Sequence, residues 1–232
     1  DLLYYQNSIS RSLSRFLKDE EVETGIYEIL KDILAFYRAG RAYIFETDEE
    51  NHFYNCTYEV VAEGVKAEIN KLQEIPVDFM PWWTSQILGK KPILFETLKP
   101  MSGMGQGEYE VLSRQGIKAL MATPLVVNDH VYGFMGVDLV DGSASWSDED
   151  YRWLSSLANV ISICLELRRA KEKVIFEQAA LARSERLFKN IFANIPAGVE
   201  IYDKEGNLVD LNERDMDILG ISDKSEVIGL NF

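Results

Sequence analysis

Apolar positions change their spacing several times along this chain, and each change marks a new element. Val22, Ile26, Leu30, Ile33, Leu34 and Tyr37 return every three or four residues, which predicts a helix over 22–38 closed by Gly40. Ahead of it, Leu2, Ile9 and Phe16, with Leu13 beside them, form a stripe of period seven. A leading helix is therefore expected over 2–17, within a segment 1–19. From Arg41 the composition turns to Tyr, Ile, Phe and Val. Arg41–Thr47 and Phe53–Val61 read as strands either side of the polar turn Asp48-Glu49-Glu50-Asn51. Residues 79–88 and 108–115 read as short helices between loops holding Pro76, Pro81, Pro92 and Pro100. Lys118–Val127 and His130–Val140 make the clearest hairpin, because Asn128 and Asp129 both tolerate the positive φ of a two-residue turn.

Asp148 to Asn194 reads as one unbroken helix, with Ser147 as its cap and Asp148, Glu149 and Asp150 near its positive end. Trp153, Val160, Leu167, Val174, Leu181 and Phe188 fall at every seventh position, a stripe along which two copies of the helix would pair. Taking these as d positions, the a positions are Leu157, Cys164, Lys171, Gln178, Glu185 and Phe192. Such a coiled coil holds firmly at its ends and weakly in its charged middle. Roughly 45 residues at ~1.5 Å per residue make about 70 Å of helix, longer than one domain needs. The helix is expected to link two domains, its first part, to about 168, belonging to the first.

Pro196 stops that helix, since proline disfavours helical geometry in the residue before it. Strands are expected at 198–203 and 208–212, then helical turns at 213–219 and 224–228, too little to bury a core alone. The whole reads as α+β: an antiparallel sheet flanked by helices, a long linker helix, and a small α+β fragment. The expected boundaries are 1–19, 20–147, 148–194 and 195–232.

Charge narrows the partners. Lys+Arg 24 against Asp+Glu 38 gives −14 over 232 residues, a field that repels nucleic acid and anionic lipid heads. No apolar run is long enough for a membrane span, and no basic-then-apolar leader opens the chain. Two cysteines make no disulfide framework, so the cytoplasm is the expected compartment. A start at Asp1 suggests a piece of a larger protein.

Catalytic chemistry finds little support. His52 and His130 both fall in turns, outside any His-Glu-x-x-His or Cys-His metal spacing, and no Gly-x-Ser-x-Gly elbow is present. No catalytic or metal-binding residues are assigned. Gly103-x-Gly105-x-Gly107 lacks the dinucleotide spacing, and Glu108 and Glu110 would repel a phosphate there, so this reads as a flexible loop. The aromatic and Met residues Phe79, Met80, Trp82, Trp83, Met101, Met104 and Tyr109 sit in loops and short helices without a regular core period. Apolar walls with a few polar tips suit a small planar or apolar ligand.

Several stretches carry a family resemblance. Arg41-Ala42-Tyr43-Ile44-Phe45-Glu46, Thr57-Tyr58-Glu59, Pro81-Trp82-Trp83, Gly116-Ile117-Lys118-Ala119-Leu120, Pro124-Leu125, Gly133-Phe134-Met135-Gly136-Val137-Asp138 and Trp146-Ser147-Asp148-Glu149-Asp150 resemble a GAF domain over about 20–168. Ile195-Pro196-Ala197-Gly198-Val199, Tyr202-Asp203, Gly206-Asn207-Leu208-Val209, Asn212, Ile218-Leu219-Gly220 and Ile228-Gly229 resemble the first half of a PAS domain over about 185–232. The resemblance implies a sensory and dimerisation module of a bacterial signalling protein, a sensor histidine kinase in the first instance. Its partners would be a second copy, through helices 2–17 and 148–193, and an output kinase or other effector domain. Alternatives are a dimerisation spacer without ligand and the sensory region of a cyclic-di-GMP turnover enzyme.

By the same resemblance the loops 79–109 close a pocket over the sheet, with Tyr43, Met121, Thr123 and Met135 as its floor. Bilin-binding members use a Cys-His pair, whereas Thr57 follows Cys56 here and Leu165 follows Cys164, which argues against a covalent bilin. Cyclic-nucleotide members carry an Asn-Lys…Phe…Asp-Glu set, and Asp129 after Asn128 breaks it, which argues against cyclic GMP. No cofactor is evident, and an unidentified small ligand is the remaining expectation.

Overall fold

The computed structural model describes residues 22–231 other than Glu49 and Ser143; the leading helix expected over 2–17 lies outside them. Two compact units meet between Arg169 and Ala170. In the first, α1 (Val22–Tyr37), β1 (Arg41–Thr47), β2 (Phe53–Val61), β3 (Ile75–Pro76), α2 (Pro81–Leu88), β4 (Ile93–Phe95), α3 (Gln106–Arg114), β5 (Ala119–Val127) and β6 (His130–Leu139) precede α4 (Asp148–Asn194). The strands make one antiparallel sheet in the order β3-β2-β1-β6-β5-β4. This is the expected α+β plan.

The sheet has two buried faces, and the period of two divides its side chains between them. Ile44, Met121, Met135 and Val137 face a core completed by Ile26, Ile29, Leu30 and Ile33 of α1 and by Leu154, Leu157 and Ile161 of α4. Tyr43, Phe45, Leu120, Ala122 and Phe134 face the other side, against Trp83, Ile87, Met101 and Leu112. β1 runs between β2 and β6, and all seven of its residues are buried, Arg41 and Glu46 included.

Local chemistry sets the turns. Asn128 and Asp129 have φ of 47° and 71°, the double positive φ of the tight hairpin expected there. Ser147 Oγ accepts from Asp150 N at 3.1 Å while Asp150 Oδ2 accepts from Ser147 N at 2.9 Å, a reciprocal cap on α4. The end of α1 differs from expectation: Arg38, with φ 49°, takes the left-handed position assigned to Gly40. Gly40 is small for another reason, since a Cβ there would lie 2.8 Å from Val140 Cγ2.

The long helix does two jobs, and this corrects the dimer seam as drawn from the sequence. Trp153, Leu157 and Val160 are buried in the first unit. Near α4's start, residues spaced three and four apart (Leu154, Leu157, Ala158, Ile161, Leu165) make the broad stripe that packs on a sheet, and a heptad count samples that stripe too. Leu167, Val174, Leu181 and Phe188 are each more than half exposed. Only these four keep the seam's register outside a core. Among the described residues, no helix is long and apolar enough to cross a membrane.

The second unit holds the rest of α4, the antiparallel pair β7 (Glu200–Tyr202) and β8 (Leu208–Leu211), and α5 (Glu213–Leu219). Asn212 ties it together. Its Nδ2 donates to Phe192 O and Ala197 O at 3.0 and 2.9 Å, and its Oδ1 accepts from Val199 N and Asp215 N at 3.0 and 2.9 Å. One side chain therefore joins the end of α4, the strand entrance and the first turn of α5. The hairpin's edge is partly covered by its own chain: Leu208 N donates to Leu230 O at 2.8 Å, and Asn207 bridges Asn231.

Candidate functional site

A cavity of about 200 Å³ lies on the loop-covered face of the sheet. Its aromatic end is built by Phe45, which stacks on Phe134 at 4.7 Å, with Trp83 edge-on to Phe134 at 5.3 Å. Its polar end comes from charged residues at strand positions of the same parity. Arg41 and Asp138 are directly paired across β1 and β6, and Glu59 stands opposite Tyr43 on β2.

Glycine makes the polar end possible. Gly136 is the β6 partner of Tyr43, and a Cβ there would lie 2.8 Å from the Tyr43 ring and hydroxyl. With no side chain at 136 the ring lies across β6, and its OH donates to Asp138 Oδ1 at 2.8 Å. Burial pushes the Asp138 carboxyl up to about 7; Glu59 adds to the rise, while the Tyr43 hydrogen bond and Arg41 oppose it. The same burial holds the Tyr43 phenol well above its ordinary value, helped by the Asp138 charge. Cys56 also lines the cavity, and burial, with Glu59 and Asp138 behind it, pushes its thiol up to about 12. It is a protonated, unreactive thiol at neutral pH.

Of the residues expected in the pocket, Tyr43, Phe79, Met80 and Trp83 line it. The others are placed elsewhere. Met121 and Met135 lie in the opposite core, and Thr123 is paired with Met135, so these three cannot floor the cavity under Tyr43. The register gives the reason: Tyr43 is opposite Gly136 while Ile44 is opposite Met135, and adjacent positions on a strand face opposite ways. Met101 fills the loop-side core, Trp82 and Tyr109 pack against that core, and Met104 is half exposed. Arg41, Cys56, Glu59 and Asp138 escaped the sequence reading. Their signal was present: a charged residue inside an apolar strand, in phase with an aromatic one.

The glycine-rich loop also has a different role from the one expected. Glu108 is buried, and its Oε1 accepts from Trp82 N and Trp83 N at 2.9 and 3.4 Å, capping the start of α2. Gly105 leaves room for that carboxylate, because a Cβ there would lie 2.7 Å from Glu108 Oε2. On the β1–β2 turn, Asp48, Glu50 and His52 present ligand atoms within 4.8 Å of one another. Asp48 is already engaged by His52 N and Phe53 N at 2.5 and 2.9 Å, and the other two are exposed.

Beside the cavity, β1 is gripped by the long helix. Phe45 lines the cavity; Glu46, next along the strand, turns to the helical side. Arg168 Nη2 donates to both Glu46 oxygens at 2.9 and 2.7 Å, and its Nη1 donates to Tyr58 OH at 2.7 Å. Arg169 Nη2 donates to Glu46 Oε2 at 3.0 Å and to Thr47 O at 3.1 Å, with its guanidinium 4.8 Å from the Tyr132 ring centre. Two arginines on α4 thus close on one buried carboxylate whose neighbour forms the pocket wall.

Comparison with known proteins fits this architecture. No curated protein matches the chain in sequence. Among solved structures, it is similar to the phycocyanobilin-bound GAF domain of a cyanobacterial phytochrome (TM-score 0.60, 14% identity, covering 72% of this chain and 96% of that one). It is also similar to the Thermosynechococcus elongatus PixJ GAF domain in its blue-light absorbing form (0.56, 18%, 70% and 94%). A biliverdin-bound domain in its far-red absorbing dark state is a third (0.59, 11%, 69% and 98%). These likenesses correct the expectation against a bilin, since domains of this fold hold biliverdin, phycocyanobilin and phycoerythrobilin. The sequence argument was too narrow: it tested only a Cys-His pair, and so only covalent attachment, which does not decide whether a domain of this fold holds a bilin. The GAF domain family model matches residues 21–165, well over half of the chain, and the protein belongs to that family.

Proposed function

We propose that this chain is a ligand-responsive sensory module of a bacterial signalling protein, a sensor histidine kinase in the first instance, that works as a pair of copies. The carrying observation is that one unbroken helix both completes the GAF core, through Leu154, Leu157 and Ile161, and continues beyond it with Leu167, Val174, Leu181 and Phe188 exposed in a single seven-residue register. A stripe of that kind is self-complementary and takes a second copy of the same helix. In this reading a ligand in the cavity shifts Phe45, Glu46 carries the shift to Arg168 and Arg169, and the paired helices pass it onward. Residues after Ile195 begin a PAS domain.

Replacing Leu167 and Val174 together by Asp puts two charges into the seam. Sedimentation velocity should show a dimer in the parent and a monomer in the double variant, with unchanged helical content by circular dichroism. A dimer that persists, or a monomeric parent, sinks the reading. Bilins bound by domains of the same fold support trying linear tetrapyrroles as ligands. Incubation with biliverdin or phycocyanobilin followed by visible absorbance tests them, and retention of colour after denaturation separates covalent from non-covalent capture.

A further inference from the structure

The hydrogen-bond accounting of the cavity wall says what its ligand must offer. Both of its carboxyl groups are already engaged. Glu59 accepts from Glu68 N and Ile69 N at 2.9 Å each, and Asp138 Oδ1 accepts from Tyr43 OH. Its donors are in surplus. Arg41 Nε donates to Lys66 O at 3.2 Å and Nη2 to Gln115 O at 3.3 Å, but Nη1 is buried without a partner among the described residues. Trp83 Nε1 is in the same condition. An unmet buried donor is costly, and a charged one more so.

Charge alone does not decide it. Glu59 forms a buried ion pair with Arg41, 3.9 Å from Nε, and Asp138 stands opposite Arg41 on β6. Neither supplies a hydrogen bond to Nη1, and two backbone carbonyls fix the plane of the guanidinium. The group is therefore desolvated and oriented with one donor direction unused, a direction that a carboxylate oxygen fills with a charge-assisted hydrogen bond.

Distance sets the shape. Arg41 and Phe45 are four residues apart on β1, about 13 Å at ~3.3 Å per residue. That backbone spacing exceeds the roughly 8 Å of one ring with a short arm, so such a ligand fits between the two side chains rather than spanning the strand. A volume of about 200 Å³ accommodates that much.

We propose that the cavity takes a flat, apolar ligand carrying a carboxylate, with its anionic head on Arg41 and its ring against Phe45, Trp83 and Phe134. This rests on the reading of the chain as a ligand-responsive module and names the ligand's class. Trp83 Nε1 serves a second acceptor on the ring, so a hydroxylated or oxo-substituted aromatic acid satisfies both ends.

Three compounds that share a ring and differ only in the head test the assignment on the full chain by titration calorimetry: 4-hydroxyphenylacetate, 4-hydroxyphenylacetamide and tyramine. The acid should bind at least about tenfold more tightly than the amide, and tyramine should not bind detectably. Arg41→Gln should bring the acid down to the affinity of the amide. If that variant fails to fold, Arg41→Lys keeps the charge and should keep the preference for the acid. Trp83→Phe should weaken acid and amide alike by about threefold. Equal binding of acid and amide, or tighter binding of tyramine, overturns the proposal. Binding of none of the three also overturns it, while the sensory reading then rests on the tetrapyrrole experiment.

Discussion

Asp138 shows how a single side chain can act against stability and still belong to the site. Its carboxyl is pushed up to about 7 in the folded chain, against about 3.9 when unfolded. Between those values the folded state keeps a proton that the unfolded state has released. The penalty is absent below about pH 4, grows as pH rises, and is fully felt above pH 7, where it amounts to roughly 4 kcal/mol. Arg41 and Tyr43 from β1 and Glu59 and Cys56 from β2 surround it, so the balance is set by these neighbours as well as by burial. Asp138→Asn keeps an acceptor for the Tyr43 hydroxyl and removes the titration. Thermal melts from pH 5 to 8 should fall for the parent and stay flat for the variant, which becomes the more stable of the two at pH 8. Parallel curves would show that Asp138 is ionised throughout. Gly136 supports the same arrangement: Gly136→Val forces the Tyr43 ring off β6, and should destabilise the fold by about 2 kcal/mol or more in urea denaturation.

The clasp on Glu46 belongs to the scale of elements, because it joins the end of a central strand to the point where the helix leaves the core. Glu46→Gln removes the charge that holds both Arg168 and Arg169. The two guanidiniums retain partial solvent access, so the loss should be about 2 kcal/mol, below the value for a fully buried pair. Hydrogen exchange should quicken in α4 around 165–170 while α1 stays protected; unchanged exchange there would mean that packing alone fixes the helix. The elements themselves were legible from periodicity. The Asn128-Asp129 turn and the Ser147 cap follow from local chemistry and were read correctly, whereas the short edge strands β3 and β4 carry too few residues to show a period and were not expected. What periodicity could not supply was register. Tyr43 and Met135 are both apolar strand residues, and only the pairing of Tyr43 with Gly136 shows that they face opposite ways. The long helix misled for a related reason, since a heptad and a sheet-packing stripe share Trp153 and Leu157 and part company only where the core ends. Arg41, Glu59 and Asp138 were passed over because each looks like an ordinary exposed charge until three strands bring them together.

Across the whole chain the two units differ in how much they bury. The first closes two cores on either side of its sheet. In the second, Leu208 and Leu211 are the buried apolar side chains among the described residues, while Val174, Ile175, Phe176, Leu181, Leu187, Phe188 and Ile191 stand exposed along the helix. A core that small cannot offset the conformational entropy of some sixty ordered residues. The proposed pairing of two copies supplies the missing burial, and it makes the second unit's stability depend on concentration, because association stabilises whatever only the folded state can join. Scanning calorimetry should therefore resolve two transitions. The lower one, from residues 170 onward, should move up by several degrees over a hundredfold rise in protein concentration, and the upper one, from the GAF unit, should stay fixed. A ligand of the cavity should raise the upper transition directly, since it binds only that folded unit. A single transition independent of concentration would mean that the exposed stripe stabilises nothing, and the second copy would lose its thermodynamic role.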